Sequence, residues 1–238
     1  MTRWPVVGRR MAAGALTMAA GCSNLTDTNG VVGLEVRTPR NPVVEVGQTI
    51  MLKAAALDAK GDTVAGAPII WVTPDTTVIL TPSGQLTGRT GGQTARVQAQ
   101  LDSLASDFVT FTVNPRPDTV VITGDSVLTV PSGTTASGPL LASLRSLNPA
   151  EPLAGRAITY TVTAPVFADP SQRTVELPGG VLTLSATTAA DGIPVTPVVV
   201  SRVAGRTAPD SSIVTVAAAT ATGAVVPGSG QRFIIHFQ

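Results

Sequence analysis

Residues 67–73 read Ala-Pro-Ile-Ile-Trp-Val-Thr, and this stretch decides the fold. Ile69, Trp71 and Thr73 stand at alternate positions, which is the side-chain period of a β-strand. Bulky apolar and β-branched side chains in that spacing favour a strand with one buried face. We therefore predict that Trp71 is a structural core residue of a β-sandwich, rather than an exposed platform for stacking on sugars.

The same alternation continues on both sides of this strand. Between Val31 and Val113, turns recur about every ten residues, which is typical of a sandwich of short strands. The alternating apolar residues are Leu34 and Val36, then Ile50, Leu52, Ala54 and Ala56, then Ala95, Val97 and Ala99, and finally Val109, Phe111 and Val113. We assign residues 31–114 to one domain, and packing around Trp71 must hold its sheets together without a disulfide.

Composition agrees with a β protein. The 238 residues are 43% hydrophobic, 3% aromatic and 13% charged, with 23 glycines and 19 prolines. A coiled coil or helical bundle needs more Lys, Glu and Leu, and a disordered chain has fewer Val, Ile and Leu. The length suits one large domain or two small ones plus a targeting segment. The predicted fold class is therefore all-β, as two sandwiches in tandem.

A second β-rich region follows a proline-rich segment. Residues 114–119 (NPRPDT) contain two prolines, and we predict a stiff linker at 115–119. Residues 120–238 then form the second predicted sandwich. Its seven expected strands are 120–122, 127–130, 140–144, 158–162, 195–203, 213–219 and 233–237. Residues 165–180 are predicted to be a long loop, which is the most plausible place for ligand contacts.

The N-terminus has the pattern of an export signal. Three arginines, Arg3, Arg9 and Arg10, precede residues 11–20 (MAAGALTMAA), an apolar stretch too short to span a bilayer. The next residues, Gly21 and Cys22, complete a sequence that resembles the lipobox of bacterial lipoproteins. An ordinary cleavage site with an accidental cysteine is the alternative. Arg9 and Arg10 lack the rest of a twin-arginine pattern.

The lipobox resemblance implies a membrane anchor. It implies a signal peptide at 1–21, cleavage between Gly21 and Cys22, lipid attachment at Cys22, and a lipidated polar tether at 22–30. In the sorting rule of such lipoproteins, Ser23 favours the outer membrane. We therefore expect an exported, lipid-anchored protein of the cell envelope whose membrane partner is reached through the acyl chains.

Several motifs of the first domain resemble the group 2 bacterial immunoglobulin-like domain of intimins and other surface proteins. They are residues 46–49 (VGQT), 58–62 (DAKGD), 67–71 (APIIW), 84–88 (GQLTG) and 91–96 (GGQTAR). Residues 154–160 (AGRAITY) and 189–193 (AADGI) are similar, more weakly, to the invasin-like group 1 domain. The resemblance implies two immunoglobulin-like sandwiches.

Charge and residue types exclude several function classes. Loss of the three signal arginines leaves thirteen of the sixteen basic residues against fifteen acidic ones, so the mature chain lacks the basic face that nucleic acid requires. With a single histidine, His236, and Cys22 committed to lipid, a zinc site of ordinary ligands cannot be assembled. A Ser-His-Asp triad would depend wholly on His236, which we expect to face solvent on the C-terminal strand. The four glutamates, Glu35, Glu45, Glu151 and Glu176, form no recognisable glycosidase pair. We therefore predict no enzyme activity, no catalytic residue and no cofactor.

Calcium at the domain junction is the remaining metal hypothesis. Asp118, Asp125 and Asp210 stand near the expected sandwich ends, but no run of alternating acids with a closing Glu occurs. Asp followed by Thr or Ser before a strand favours a turn, because the carboxylate accepts backbone N–H bonds. We predict turns and no metal site.

Two function classes remain, and both rest on fold-level analogy. One is a surface adhesion or structural scaffold module. The other is an accessory subunit that docks an envelope protein complex or a polysaccharide. The partner is therefore an unknown protein or polysaccharide, besides the membrane itself.

Overall fold

A computed structural model describes residues 30–238. Within this range the chain is built from β-strands, with a single 3-10 turn at Pro170–Gln172. None of the described residues forms a helix with the length and apolar character needed to cross a bilayer. The predicted cleavage and lipidation residues, Gly21 and Cys22, lie outside the described residues.

The strands of the first region are short and closely spaced. They are β1 (Val31–Arg37), β2 (Val43–Glu45), β3 (Thr49–Met51), β4 (Lys53–Asp58), β5 (Ile70–Val72), β6 (Val78–Leu80), β7 (Gln85–Gly88), β8 (Gln93–Leu101), β9 (Leu104–Ala105) and β10 (Val109–Asn114).

These strands form two facing sheets. β3 and β4 form one extended segment that is interrupted only at Leu52. In this segment β3 pairs with β7 and β4 pairs with β1. β6 pairs with the other side of β7 and completes the sheet. The other sheet has the order β2-β10-β8-β5, with β2 parallel to β10 and the other pairs antiparallel. In immunoglobulin terms, strands A, B, E and D face strands C, F and G. The predicted all-β, immunoglobulin-like fold class is confirmed.

The first core forms where strand alternation turns small residues inward. Ala95, Val97 and Ala99 of β8 are buried, whereas Thr94, which precedes them, and Arg96, which lies between Ala95 and Val97, are exposed. Trp71 pairs with Ala99 across the sheet, is 6% exposed and packs in this core.

Gly84 allows the indole of Trp71 to approach the backbone. A Cβ added at Gly84 would lie 2.7 Å from Trp71 Nε1, and the φ of Gly84 is +92°, which L side chains rarely adopt.

The second region contains β11 to β20. They are β11 (Thr119–Ile122), β12 (Val127–Val130), β13 (Ala142–Leu147), β14 (Ala150–Pro152), β15 (Ala157–Ala164), β16 (Val175–Glu176), β17 (Thr183–Thr187), β18 (Ser201–Arg202), β19 (Ser211–Ala217) and β20 (Arg232–Phe237).

The larger sheet of the second region has the order β12-β20-β19-β15-β17, again with one parallel pair, β12 with β20. The opposite sheet contains β11-β13-β14. The segment before β13 is hydrogen-bonded to the residues that precede β18, because Ser137 N–H donates to Val200 O and Leu140 N–H donates to Val198 O. Tyr160 and Phe233 stack at a centroid distance of 6.5 Å inside one continuous core.

The structure corrects three expectations in detail. The predicted single strand at 50–56 is interrupted at Leu52, where its pairing changes from one neighbour to another. The predicted strand at 195–203 is reduced to Ser201–Arg202, because prolines at 194 and 197 cannot donate to a ladder.

The third correction concerns residues 165–180, which are not simply a long loop. They contain the 3-10 turn and β16, and two of their side chains, Val175 and Leu177, are buried in the second core. These apolar side chains fasten the segment to the sandwich.

Candidate functional site at the domain junction

The ends of both sandwiches meet around the short segment between β10 and β11. The first region contributes the end of β2 with the turn after it, and the turn between β7 and β8. The second region contributes the residues before β15 and the turn between β19 and β20. Polar side chains from these elements form a partly buried site that joins the two regions.

Glu45, the last residue of β2, is the centre of this site. It is 3% exposed, although it carries a charge. Its Oε1 accepts a hydrogen bond from the Ala221 N–H of the second region at 3.1 Å. Its Oε2 lies 3.2 Å from Nη2 of Arg156, also of the second region, as an ion pair without hydrogen-bond geometry. One carboxylate of the first sandwich thus contacts two elements of the second.

Arg156 is fixed from both sides. Its Nη2 donates to Pro115 O in the linker at 2.8 Å, and its backbone N–H donates to the Thr188 hydroxyl at 3.0 Å. Its side chain is 22% exposed. The guanidinium therefore joins the linker, the first sandwich and the second sandwich at one point. Removing either partner of such a pair leaves a poorly solvated charge, which is costly.

The backbone around Glu45 leaves room for no other residue at Gly88. A Cβ there would lie 2.5 Å from Glu45 O, so glycine is required by the close approach of β7 to β2. Gln48 supports the same turn, because its Oε1 accepts from Glu45 N–H at 2.8 Å. The turn that presents Glu45 is thus held by its own sandwich before any contact with the second.

The linker itself is packed against the first sandwich. A Cβ added to Gly91 would lie 2.7 Å from Cα of Pro115, so this approach also requires glycine. Asn114 O accepts from Val46 N–H at 3.0 Å. The two linker prolines reduce backbone freedom further.

Asp118 fastens the far end of the linker. Its carboxylate accepts from Leu147 N–H at 2.9 Å and from Arg116 Nε at 2.7 Å. Partial burial raises the pKa of Asp118, but these hydrogen bonds more than offset burial and hold the pKa below its usual value. This aspartate, considered above as a calcium ligand, therefore bonds within the protein.

Two clefts flank the junction. The smaller has a volume of 130 Å³ and lies between Gln48, Arg116 and the hydroxyls of Thr220 and Thr222. The larger, of 510 Å³, is bounded by Asn114 and Pro115 on one side and by residues 151–156 on the other. Neither contains a cluster of metal-ligating side chains, and no such cluster of three or more occurs within residues 30–238.

The other predicted residues lie away from the junction. Trp71 is in the first core, and His236 is exposed on β20. Asp75, one of the Asp-Thr turn residues, accepts from the N–H, Nε and Nη2 of Arg96 across the sheet.

Sequence reasoning identified neither Glu45 nor Arg156 as a site residue. The available signal was a glutamate within an apolar strand, residues 43–46 (VVEV), and its partner stands 111 positions later along the chain.

No protein-family profile and no curated protein matches this chain. Among solved structures, domains 4 and 5 of the S-layer protein SbsC match with 17% identity over 87% of this chain and 98% of that one, at a TM-score of 0.32. The Yersinia pseudotuberculosis adhesin InvE matches with 18% identity over 89% of this chain and 60% of that one, at 0.40. The Escherichia coli adhesin FdeC matches with 15% identity over 86% and 63%, at 0.43.

This chain therefore spans less than two thirds of the length of either adhesin structure. TM-scores of this size reflect partial superposition. The immunoglobulin-like assignment rests instead on this chain's own strand order, in which the second strand of each region pairs in parallel with the last strand.

Proposed function

We propose that this chain is a non-catalytic cell-envelope lipoprotein whose two immunoglobulin-like sandwiches act as a stiff surface scaffold or adhesion module. The acyl chains on Cys22 would hold the protein in the outer membrane. The sandwiches would hold a surface for a protein or polysaccharide partner away from the bilayer. Assignment of the domains to bacterial groups 2 and 1 belongs to the same proposal.

The observation that carries the proposal is the buried contact of Glu45 with Ala221 and Arg156. The hydrogen bond from Ala221 N–H is directional, unlike apolar contact, and the ion pair adds a short-range attraction, so together they favour one angle between the two sandwiches. A linker of two prolines packed on the first sandwich adds to this restraint. A tether built for free motion has neither feature, because it is typically rich in glycine and serine.

Distance measurements between spin labels test the stiffness. We would label Lys60→Cys and Ala204→Cys, both exposed in turns far from the junction, in a form starting at Ser23 that lacks the native cysteine. We expect one narrow distance distribution in this parent. Glu45→Ala should broaden it, because Arg156 and the 220–224 turn then lose their shared partner.

Glu35→Ala is the matched control. Glu35 also pairs with an arginine, Arg37 at 3.4 Å, but this pair is half-exposed on β1 and contacts no second-region residue. Its removal should leave the distribution unchanged. A broad distribution in the parent, or one that Glu45→Ala leaves as narrow as before, would contradict the stiff scaffold.

The anchor has its own test. Cys22→Ser removes the only attachment site for lipid, so the protein should leave the membrane fraction for the aqueous one. Fractionation of cells that express the two forms measures this. Equal membrane retention of both forms would refute the lipoprotein proposal while leaving the scaffold proposal intact.

A further inference from the structure

β17 is an unpaired edge of the large sheet in the second region. It pairs with β15 on one side only. Val162 N–H donates to Leu182 O and Thr188 N–H donates to Arg156 O, so the even-numbered residues of this stretch bond to β15. In an antiparallel ladder the residues between them direct their N–H and C=O groups away. These are Thr183, Ser185 and Thr187.

Most of these outward groups have no protein partner. Thr187 O accepts from Val195 N–H at 2.8 Å, at the end of the strand. No other main-chain bond reaches the outer edge of β17 from the described part of the chain. The N–H and C=O groups of Thr183 and Ser185 are therefore available to one further strand.

An apolar groove runs beside this edge. It has a volume of 320 Å³ and is lined mainly by Pro178, Leu184, Ala186, Val195 and Pro197. Val195 is 66% exposed. Leu184 and Ala186 are the inward-facing residues of β17, and they pack at the border of the core. A strand added to β17 would place its own inward side chains into the groove, next to these two.

The edge lacks the features that usually prevent pairing. Charged residues and proline on an edge strand deter another strand from adding to it. β14, an edge of the opposite sheet, has both in three residues, Glu151 and Pro152. β17 reads Thr-Leu-Ser-Ala-Thr and has neither.

A second copy of this chain fits the edge poorly. Two β17 strands paired about a two-fold axis at Ser185 would each need Thr187 O as an acceptor. Val195 N–H already occupies that oxygen, whereas a peptide that pairs only with Thr183 and Ser185 does not need it.

We propose that β17 and the groove bind an extended, uncharged peptide segment of another protein by strand addition. The main chain of the segment pairs with Thr183 and Ser185, and small apolar side chains at alternate positions fill the groove. The segment is uncharged because neither the edge nor the groove lining offers a charged side chain to pair with a buried ion. This proposal stands independently of the scaffold function and of the lipid anchor.

The probe is an acetylated and amidated peptide, Ser-Val-Thr-Val-Thr-Val-Ser, labelled with fluorescein. Its control replaces the central valine by proline, which removes one N–H and disrupts an extended ladder. Fluorescence anisotropy should show saturable binding of the first peptide to the chain starting at Ser23, and binding at least about tenfold weaker for the second.

Two matched protein variants locate the site. Val195→Asp puts a charge into the groove and should weaken binding at least about tenfold. Val166→Asp makes the same change at a valine that is 87% exposed and lies outside the groove, and it should bind like the parent. Both should melt like the parent, because neither valine is buried.

Amide hydrogen exchange gives the second readout. Peptide binding should slow exchange at Thr183 and Ser185, whereas Leu184 and Ala186 are protected by β15 already. Failure of the alternating peptide to bind, or unchanged exchange at Thr183 and Ser185, overturns the proposal. Protection that grows with protein concentration in the absence of peptide would make a second copy the occupant, and it overturns the proposal too.

Discussion

The two sandwiches share a parallel pair between a short early strand and the last strand, but they build their cores differently. The first divides its buried residues into two clusters, and Trp71 is the largest side chain in the main one. The second has one continuous core, where Tyr160 and Phe233 stack among many branched aliphatic residues. A sandwich of this kind can thus have a core around one dominant aromatic side chain or around many aliphatic side chains. We expect the first sandwich to be the more sensitive to a single truncation.

Truncation of Trp71 should have the largest effect. Trp71→Ala removes a buried indole from the smaller core and should cost about 3 to 5 kcal/mol. A small domain has only about 5 to 15 kcal/mol in total. The first sandwich should therefore unfold or nearly unfold while the second remains folded, and the NMR amide signals of the two regions would separate these outcomes.

Ile70→Ala is the control for Trp71→Ala. Ile70 is the neighbour of Trp71 on the opposite face of β5 and is 46% exposed, so its truncation should change stability little. In the parent chain after Cys22, Trp71 is the only tryptophan, and its emission should be blue-shifted and poorly quenched by acrylamide. Normal melting of Trp71→Ala with loss of affinity for a sugar or protein would place Trp71 on a binding face.

Gly84 should be the next most sensitive position. Gly84→Ala places a methyl group against the indole and strains a positive φ, which together should cost about 2 to 4 kcal/mol. Gly61→Ala has a similar φ of +86° but nothing within 4 Å of the added Cβ. It should cost only the conformational strain, about 1 to 2 kcal/mol. Urea denaturation of both variants measures the difference, and equal losses would show that the indole yields to the methyl group.

The second sandwich should weaken at alkaline pH. Burial raises the pKa of Tyr160 to about 12, and its hydroxyl donates to Leu140 O at 3.2 Å. The folded state keeps the phenol protonated, so this stabilisation is complete below the ordinary pKa of about 10 and is lost as the pH rises through about 12. The loss should be about 2 to 3 kcal/mol.

Tyr160 is the only tyrosine, so absorbance titration near 295 nm reports its ionisation directly. Tyr160→Phe should remove the alkaline loss of stability. Ionisation of Tyr160 near pH 10 in the folded protein would contradict its burial.

The first sandwich should lose stability at acid pH, and this is the smallest of the expected effects. The side-chain hydrogen bonds from Arg96 hold the pKa of Asp75 below its usual value. The stabilisation is present above pH 3.8 and is lost as the pH falls below it. Asp75→Asn should flatten this acid dependence in denaturation curves recorded between pH 2 and 5. If Asp75→Asn leaves the pH dependence of stability unchanged, the exposed pair of Asp75 and Arg96 contributes nothing to the free energy of unfolding.

The sequence predicts the long strands better than the short ones. Alternation over 93–99 and 109–113 identifies β8 and β10, because enough residues repeat the period to exclude chance. β2, β6 and β16 contain two or three residues each, too few for a period. β17 has only small and polar residues apart from Leu184, so its composition resembles a loop.

The contacts at the junction could not be predicted from the sequence, for a different reason. Glu45 and Arg156 meet only because the first and second regions adopt one relative orientation. No local period or spacing encodes that orientation. The proline-rich linker is visible in the sequence, but the glycines that let it pack, Gly88 and Gly91, look like ordinary turn residues until the approach distances are known.

The central claim is that each sandwich folds by itself and that the two are joined at a specific junction. Thermal melting of fragments 31–114 and 118–238, compared with the whole chain, tests this claim most directly. Each fragment has its own core, so both should melt cooperatively. The first should melt at a lower temperature than within the chain, because Glu45 loses Ala221 and Arg156. Glu45→Gln should therefore destabilise the whole chain but not the fragment. An unfolded fragment, or equal effects of Glu45→Gln in fragment and chain, would contradict the account.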